Sequence, residues 1–355
     1  MTLNVHKFAA IKGKQSGDDY FTVVCEMALI PKLFLFNESI IPTELRAQRH
    51  INKSRIPEIA RYIVDNPNNY IFSALTASID GDINFKPLKI NGKDSEVGEL
   101  EISGDAKLMI NDGQHRRRAI EEALKERPEL GHEMISVVFF QDEGLKRSQQ
   151  MFSDLNKNAV KPTKSLSILY DHRDEFSKFI VNLVNSIEIF EGRVELEKTS
   201  ISNRSIKVFT LNGISDASMR LFGISKGKKL SDEEKQLVKE FWDTVSKNIA
   251  EWQLLLQDKV TAPELRKDFV NTNTNLLNSL GIVGRIIIEE FPKTWKEKLR
   301  GLKNINWSRT NPEWEGRLLV HGQMHKQARG IDLAANLILQ KCGVTLSEDR
   351  QKLEE

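Results

Sequence analysis

Residues 109–120 read Met109-Ile110-Asn111-Asp112-Gly113-Gln114-His115-Arg116-Arg117-Arg118-Ala119-Ile120. An apolar run ends at Ile110, Asp112-Gly113 is a turn signal, and apolar residues recur at helical spacing from Ala119 onward. The stretch therefore predicts the end of a strand, a tight turn and a helix that begins near Gln114.

The charges at the start of this helix point to an anion. The first N–H groups of a helix have no intrahelical partner and its dipole is positive there, so a phosphate is favoured and basic side chains are disfavoured. A histidine and three arginines nevertheless follow Gly113 and Gln114. Arg116 lies at the edge of the buried stripe, where its guanidinium can hold a phosphate bidentately. Gly113 would let the phosphate approach the backbone closely.

A second interpretation of these arginines needs no ligand. Arg117 and Arg118 can instead pair with glutamates that follow on the same helix. These are Glu121, Glu122 and Glu126. Both interpretations are open for these two arginines. An internal ion pair at Arg116, with no hollow beside Gly113, would argue against a phosphate site.

Five consecutive residues, Asp112-Gly113-Gln114-His115-Arg116, are identical to the signature of the DGQHR-domain proteins. That group includes the DndB family, the regulators of bacterial DNA phosphorothioation systems. The stretch also resembles the phosphate motif of the ParB/sulfiredoxin superfamily. Gly113, Arg116 and Ala119 match the Gly-Glu-Arg-Arg-x-x-Ala of ParB proteins, and Gly113, His115 and Arg116 match the Gly-Gly-Cys-His-Arg of sulfiredoxins. Gln114 stands where sulfiredoxins have their nucleophilic cysteine, so the resemblance excludes sulfinic-acid reduction.

The resemblance extends over roughly residues 40 to 175. Upstream, Gln48 and Arg49 are similar to the Gln-Pro-Arg box that precedes a helix in ParB-like domains, although the proline is missing here. Downstream, Phe152, Leu155 and Asn156 form a Phe-x-x-Leu-Asn element that also resembles DGQHR-domain proteins. Asn156 can orient a phosphate or cap a helix, and both roles are open.

The pattern along the chain predicts an α+β fold. Strand-like runs begin at Tyr20–Met27 and continue to residue 141, separated by Asp-Gly, Asn-Gly and Gly-Asp turns that favour hairpins in a mixed or antiparallel sheet. A helix starts near Ser54. We therefore predict a ParB/sulfiredoxin-like domain with a mixed sheet over residues 1–175 and a mainly α-helical domain over 176–355.

The second half carries helical patterns and all five tryptophans, which we expect to pack a helical core. Helices are predicted at Asp174–Phe190, Ser231–Leu256, Ala262–Leu280, Val283–Phe291 and Gly330–Gln340. His321 and His325 are spaced like two ligands on one helix face, but no third ligand is suggested and we predict no metal site.

Composition bounds the remaining possibilities. The chain has 355 residues, of which 39% are hydrophobic, so two domains with sizeable cores are expected. The formal net charge is only +2, so a nucleic-acid partner has to be met by local basic patches. Cys25 and Cys342 are the only cysteines, which fits a reducing compartment, and Cys25 is most simply a small core residue. No run approaches the ~20 apolar residues of a membrane span, and we predict a cytoplasmic protein.

The basic clusters supply the candidate DNA contacts. Contacts with DNA phosphates would give an affinity that falls steeply with salt. As an alternative, these side chains form solvated faces or keep a loop soluble. The candidates are Gln48, Arg49, Lys53, Arg55, Arg117, Arg118, Lys157, Lys161 and Lys164.

The resemblance implies two functions. The first is a DNA-binding transcriptional repressor that binds double-stranded DNA in the promoter region of its own DNA phosphorothioate modification operon. The second is a ParB-like nucleoside triphosphatase or nucleotide-gated switch of a DNA modification or defence system, with ATP or CTP and Mg²⁺ at the turn and Asp112 as the catalytic carboxylate. The residues that would bind the nucleotide are Gly113, Gln114, His115, Arg116 and Asn156. Other DNA modification proteins and a second copy of the chain are further expected partners.

Overall fold

The computed structural model describes residues 5–34, 55–141, 162–223, 230–324 and 327–355, together with residues 151 and 155. The chain divides into two compact units, Met1–Val160 and Lys161–Glu355, so the division lies earlier in the chain than residue 175. The first unit combines a mixed sheet with helices and the second is mostly helical. The predicted α+β class is therefore confirmed.

The first unit contains seven described strands and three described helices. They are β1 (Val5–Gln15), β2 (Asp18–Glu26), α1 (Ile30–Leu33), α2 (Arg55–Asp65), β3 (Leu75–Asp80), β4 (Ile83–Ile90), β5 (Lys93–Ser103), β6 (Lys107–Asp112), α3 (Gln114–Glu126) and β7 (Met134–Gln141), with a 3-10 helix at Pro128–His132 before β7. The helix predicted near Ser54 and the helix start predicted near Gln114 are both confirmed.

The seven strands form one sheet in the order β4-β5-β1-β2-β7-β3-β6. Its paired strands run antiparallel except β3 and β7, which run parallel. The prediction that the first strand begins at Tyr20 is wrong, because β1 precedes it. In β1, buried Phe8 and Ala10 alternate with exposed Lys7 and Ala9, which is the pattern of a strand with one face in the core.

The core of the first unit lies between one face of the sheet and the helices. Ile63 of α2 and Ile120 of α3 are fully buried in the same cluster as Val137 and Phe139 of β7. Cys25 belongs to this cluster, and burial raises the pKa of its thiol to about 12. The prediction that Cys25 is a small core residue is confirmed.

The described elements of the second unit are mostly helices. They are α4 (Lys164–Tyr170), α5 (Glu175–Val184), β8 (Val194–Glu195), β9 (Phe209–Thr210), α6 (Leu211–Phe222), α7 (Asp232–Asn248), α8 (Ala250–Leu256), α9 (Ala262–Asp268), α10 (Thr274–Glu290), α11 (Trp295–Lys298), β10 (Leu319–Val320), β11 (Gln323–Met324), α12 (Ala328–Lys341) and α13 (Glu348–Glu354), with 3-10 helices at Leu299–Asn304 and Pro312–Trp314. All five tryptophans are buried in its core, as predicted: Trp242, Trp252, Trp295, Trp307 and Trp314.

Several predicted helix boundaries in this unit are wrong. α5 ends at Val184 rather than at Phe190, and the segment predicted over Ser231–Leu256 forms two helices, α7 and α8. The continuous helix predicted over Ala262–Leu280 is interrupted after Asp268, and α10 begins anew at Thr274, where Asn273 caps it by accepting a hydrogen bond from the N–H of Asn275. Gly281 does not end this helix, because α10 continues to Glu290. Among the described residues, no helix combines the length and apolar character needed to cross a membrane.

Candidate functional site

The turn at Gly113 requires glycine for two reasons. Its φ angle of 102° lies in the left-handed region, where a Cβ is disfavoured. A Cβ here would also come closer to Cδ2 of Leu75 than the 3.0 Å that real Cβ atoms keep. Gly113 occupies the N-cap position of α3, and no side-chain hydrogen bond caps this helix start in the described part of the chain. The backbone N–H groups of the first turn have no partner within α3.

Arg116 joins this turn to the residues that precede β3. Its Nη2 lies 2.5 Å from Oδ2 of Asp112, and its Nη1 donates to the carbonyl oxygens of Ser73 (2.7 Å) and Ala74 (3.2 Å) and to the Ser73 hydroxyl. Only 15% of the side chain is exposed. A phosphate bound bidentately by Arg116 would have to replace these partners, so the internal contacts argue against that predicted role.

Asp112, the predicted catalytic carboxylate, is the acceptor of this ion pair. The pair neutralises the one acidic residue of the motif. A hollow does lie beside Arg116, with a volume of about 270 Å³. Its lining residues are Arg55, Glu58, Ile59, Tyr62, Phe72 and Arg116.

Arg117 is buried rather than exposed to a partner, with 5% of its side chain accessible. Its Nε donates to the carbonyl oxygen of Phe34 and its Nη2 to that of Pro31, both at 3.0 Å, while Nη1 pairs with Glu121. Burial lowers the pKa of this guanidinium despite the neighbouring Glu121. Arg117 therefore anchors α3 to the segment at and after α1, and these internal contacts argue against its predicted contact with DNA.

Arg118 shares the same carboxylate, with Nη1 at 3.1 Å from Oε2 of Glu121. Burial acts to raise the pKa of Glu121, but its hydrogen bonds and charge interactions with Arg118 and Arg117 hold it below its usual range. The alternative interpretation of these two arginines as partners of a glutamate on the same helix is confirmed. Arg118 is 38% exposed.

His115 and Arg55 connect two segments that are separate in the sequence. Burial lowers the pKa of His115, and the charge of Arg55 on α2 lowers it further, while Asp112 acts in the opposite direction. The two ring nitrogens of His115 can donate or accept a hydrogen bond. The packing of α2 against α3 thus brings an exposed arginine of the upstream basic segment to the helix start at Gly113.

Gln114 and Asn111 complete the described surroundings of the turn. The Gln114 side chain is half-buried, and its Nε2 lies 3.4 Å from the carbonyl oxygen of Ile110. The sequence analysis missed Asn111, which is fully buried and donates to the hydroxyl of Ser78 and to the sulfur of Met151. The pairing of β3 with β6 shifts register here, because Thr76 pairs with Asp112 and the next residue with Ile110.

The remaining candidate residues belong to the second unit or lie outside the described residues. Lys164 begins α4 of the second unit and pairs there with Asp216. Among the described residues, no three His, Cys, Asp or Glu side chains are placed to hold a metal ion. Six candidates, and His325 of the histidine pair, lie outside the described residues. These six are Gln48, Arg49, Lys53, Asn156, Lys157 and Lys161.

Comparison with known proteins adds one match. A model of the DndB family, described as DNA-sulfur modification-associated, matches residues 8–345. The chain belongs to the DndB family. Members of the DndB family are involved in DNA phosphorothioation systems. The match spans residues of both units, so the family relationship reaches well beyond the turn at Gly113 and includes the helical half. Neither a curated protein nor a solved structure matches the chain.

Proposed function

We propose that the chain is a DNA-binding repressor of a DNA phosphorothioate modification operon, which binds double-stranded DNA in the promoter region of that operon. Membership of the DndB family supports the assignment to a DNA phosphorothioation system. The observation that supports DNA binding is the packing of α2 against α3, which places Arg55 and Arg116 around one hollow beside the helix start at Gly113. Backbone donors at a helix start and exposed arginines are groups that bind DNA phosphates.

Arg55 and Arg118 are the described side chains that this proposal assigns to DNA phosphates. Arg55 is exposed and has no ion-pair partner among the described residues. Arg118 shares Glu121 with Arg117 and is 38% exposed, so its guanidinium is accessible from solvent. Arg116 and Arg117 then fix the start of α3 to neighbouring segments rather than contact DNA, because their guanidinium groups are occupied by internal partners.

The double variant Arg55→Gln/Arg118→Gln should reduce the salt dependence of DNA binding by about two units in the slope of log K against log salt, since each lost phosphate contact removes about 0.9. Fluorescence anisotropy with a labelled promoter duplex at several salt concentrations measures the slope. The matched control is Lys89→Gln/Lys93→Gln, on exposed residues of β4 and β5 at the opposite edge of the sheet from β6. An equal loss of slope in the control, or no loss in the arginine variant, would contradict the assignment.

Repression requires sequence preference as well as phosphate contacts. At one salt concentration, the wild-type chain should bind a duplex from the promoter region of its own operon at least about a thousandfold more tightly than a shuffled duplex of equal length. Equal affinity for the two duplexes would contradict a repressor while leaving general DNA binding in place.

The nucleoside triphosphatase alternative stays a prediction. The hollow beside Arg116 is slightly smaller than the ~300–1,000 Å³ typical of small-molecule sites. Asp112 and Arg116 neutralise each other, whereas phosphoryl transfer with Mg²⁺ needs carboxylates that can reach the metal. The described geometry therefore favours contact with DNA at this turn over bound ATP or CTP.

A further inference from the structure

The second unit contains a larger pocket, with a volume of about 790 Å³, between helices α6, α10 and α12. This volume lies in the range of small-molecule sites in proteins. Every residue that lines the pocket belongs to the second unit, so the inference that follows is independent of the turn at Gly113.

The charge of the pocket is unbalanced in favour of cations. Four basic side chains line it, against the two carboxylates of Asp216 and Asp332. Asp216 pairs with a lysine, and Asp332 lies 3.9 Å from Nη2 of Arg350. The basic side chains are Lys164, Arg220, Arg285 and Arg350. Two positive charges therefore remain in the described lining after these pairs are counted.

Three arginines line the pocket, and two of them, Arg220 and Arg285, have no carboxylate partner among the described residues. Nε of Arg220 donates to Oδ1 of Asn278 at 2.8 Å. Nε of Arg285 is buried, and in the described part of the chain it has no hydrogen-bond partner. A buried guanidinium N–H without an acceptor is unfavourable, so Nε of Arg285 is a candidate donor to a ligand.

The end of α6 makes room for the Arg285 guanidinium. Gly223 has a φ angle of 61°, and a Cβ on it would lie only 2.7 Å from Nη1 of Arg285. Arg350 faces the same region. Burial lowers the pKa of Arg350, Asp332 acts to raise it, and the charge of Arg285 lowers it further. Arg285 and Arg350 line the same pocket, where an anion between them would reduce their mutual repulsion.

We propose that this pocket binds a small phosphate-bearing ligand of nucleotide size, with Arg220, Arg285 and Arg350 at the phosphates. Guanidinium groups bind phosphate oxygens bidentately. Met219, Ile282 and Ile331 line the same pocket and offer apolar contact to the rest of such a ligand. The concave shape, bounded by three helices, fits a small molecule rather than the convex backbone of a DNA duplex.

Isothermal titration calorimetry on the full chain tests this proposal with three probes, namely ADP, inorganic pyrophosphate and adenosine. ADP and pyrophosphate should bind saturably, and adenosine should bind at least tenfold more weakly than ADP because it carries no phosphate. Binding of ADP but not of pyrophosphate would mean that the ligand needs both the nucleoside and the phosphates, which still supports the proposal. Absence of binding by both phosphorylated probes, or equal affinity for adenosine and ADP, would overturn it.

Two variants locate the binding. Arg285→Gln should weaken binding of the phosphorylated probe at least tenfold. Gln327→Glu adds a negative charge to the lining at an exposed residue, at the N-cap of α12, where its side chain makes no capping hydrogen bond. An acidic residue is favourable at a helix N-terminus, so this variant should fold normally while weakening binding about fivefold through charge repulsion.

Gln340→Glu is the matched control, because Gln340 is exposed at the other end of the same helix and does not line the pocket. It should bind the probes like the wild type. If Arg285→Gln fails to fold, the comparison of Gln327→Glu with Gln340→Glu decides the question. Unchanged affinity in Gln327→Glu, or the same loss in Gln340→Glu, would overturn the site.

Discussion

Replacing Gly113 with alanine should lower the free energy of unfolding of the first unit by about 3 kcal/mol. The left-handed φ angle of 102° costs a residue with a Cβ about 1–2 kcal/mol. Overlap of that Cβ with Cδ2 of Leu75 adds about 1–3 kcal/mol of overpacking. Urea unfolding followed by circular dichroism measures the change.

The chain offers a control that separates the two causes. Gly17 has a similar φ angle of 97°, but a Cβ there would have no atom within 4 Å. Gly17→Ala should therefore lose only about 1 kcal/mol, the conformational part. All five tryptophans lie in the second unit, so tryptophan fluorescence follows the unfolding of that unit alone. A transition that appears in circular dichroism but not in tryptophan fluorescence therefore belongs to the first unit. Equal losses for Gly113→Ala and Gly17→Ala would contradict the overlap with Leu75.

Arg117→Ala should destabilise the first unit by about 3 kcal/mol, because the carbonyl oxygens of Pro31 and Phe34 lose their donor and the buried stem leaves a cavity. Glu121 keeps Arg118 as a partner. At a temperature where the variant is folded, its salt slope of DNA binding should equal that of the wild type, because a buried guanidinium makes no phosphate contact. Chemical unfolding and fluorescence anisotropy measure the two effects.

Arg118→Ala is the neighbouring control with the opposite expectation. Its pair with Glu121 is partly exposed, so the loss of stability should stay below about 1 kcal/mol. Its salt slope should fall by about one unit. If instead Arg117→Ala lowers the slope and leaves stability intact, Arg117 is a DNA contact and the anchoring role described above is wrong.

The sequence predicted the features of this chain that depend on neighbouring residues. The end of β6, the turn at Gly113 and the helix start at Gln114 follow from an apolar run, an Asp-Gly pair and helical spacing, all within twelve residues. The family signature lies in the same short stretch. The α+β class was predictable for a similar reason, because turn signals between strand-like runs and helical periodicity are local properties.

The backbone acceptors of Arg116 and Arg117 were not predictable from neighbouring residues, although the ion pairs of these arginines lie within one helical turn. The acceptors of Arg117 at Phe34 and Pro31 are 83 and 86 residues away in sequence, and that of Arg116 at Ala74 is 42 residues away. Only the folded chain brings these carbonyl groups to α3. A basic cluster therefore indicates positive charge in the sequence, but burial decides which of its members can reach a ligand.

Gly281 shows the same limit in the helical unit. A glycine within a helical pattern is typical of a helix end, and the sequence pattern predicts one helix that ends at Leu280 and another that begins at Val283. In the structure α10 continues through Gly281. The residue is glycine because a Cβ here would come closer than 3.0 Å to the carbonyl oxygen of Ala217 on α6. Glycine at this position lets two helices approach, and that requirement arises from a partner 64 residues earlier in the chain.

The position of β7 has a consequence for synthesis on the ribosome. It is the last described strand of the first unit in chain order, yet it lies between β2 and β3 in the interior of the sheet. Until residue 141 has emerged, a nascent chain can assemble only two separate fragments, the strands β4-β5-β1-β2 and the pair β3-β6. Each fragment presents an unpaired strand edge that can join other chains. The nascent protein therefore depends on completing β7 before its sheet is protected from aggregation.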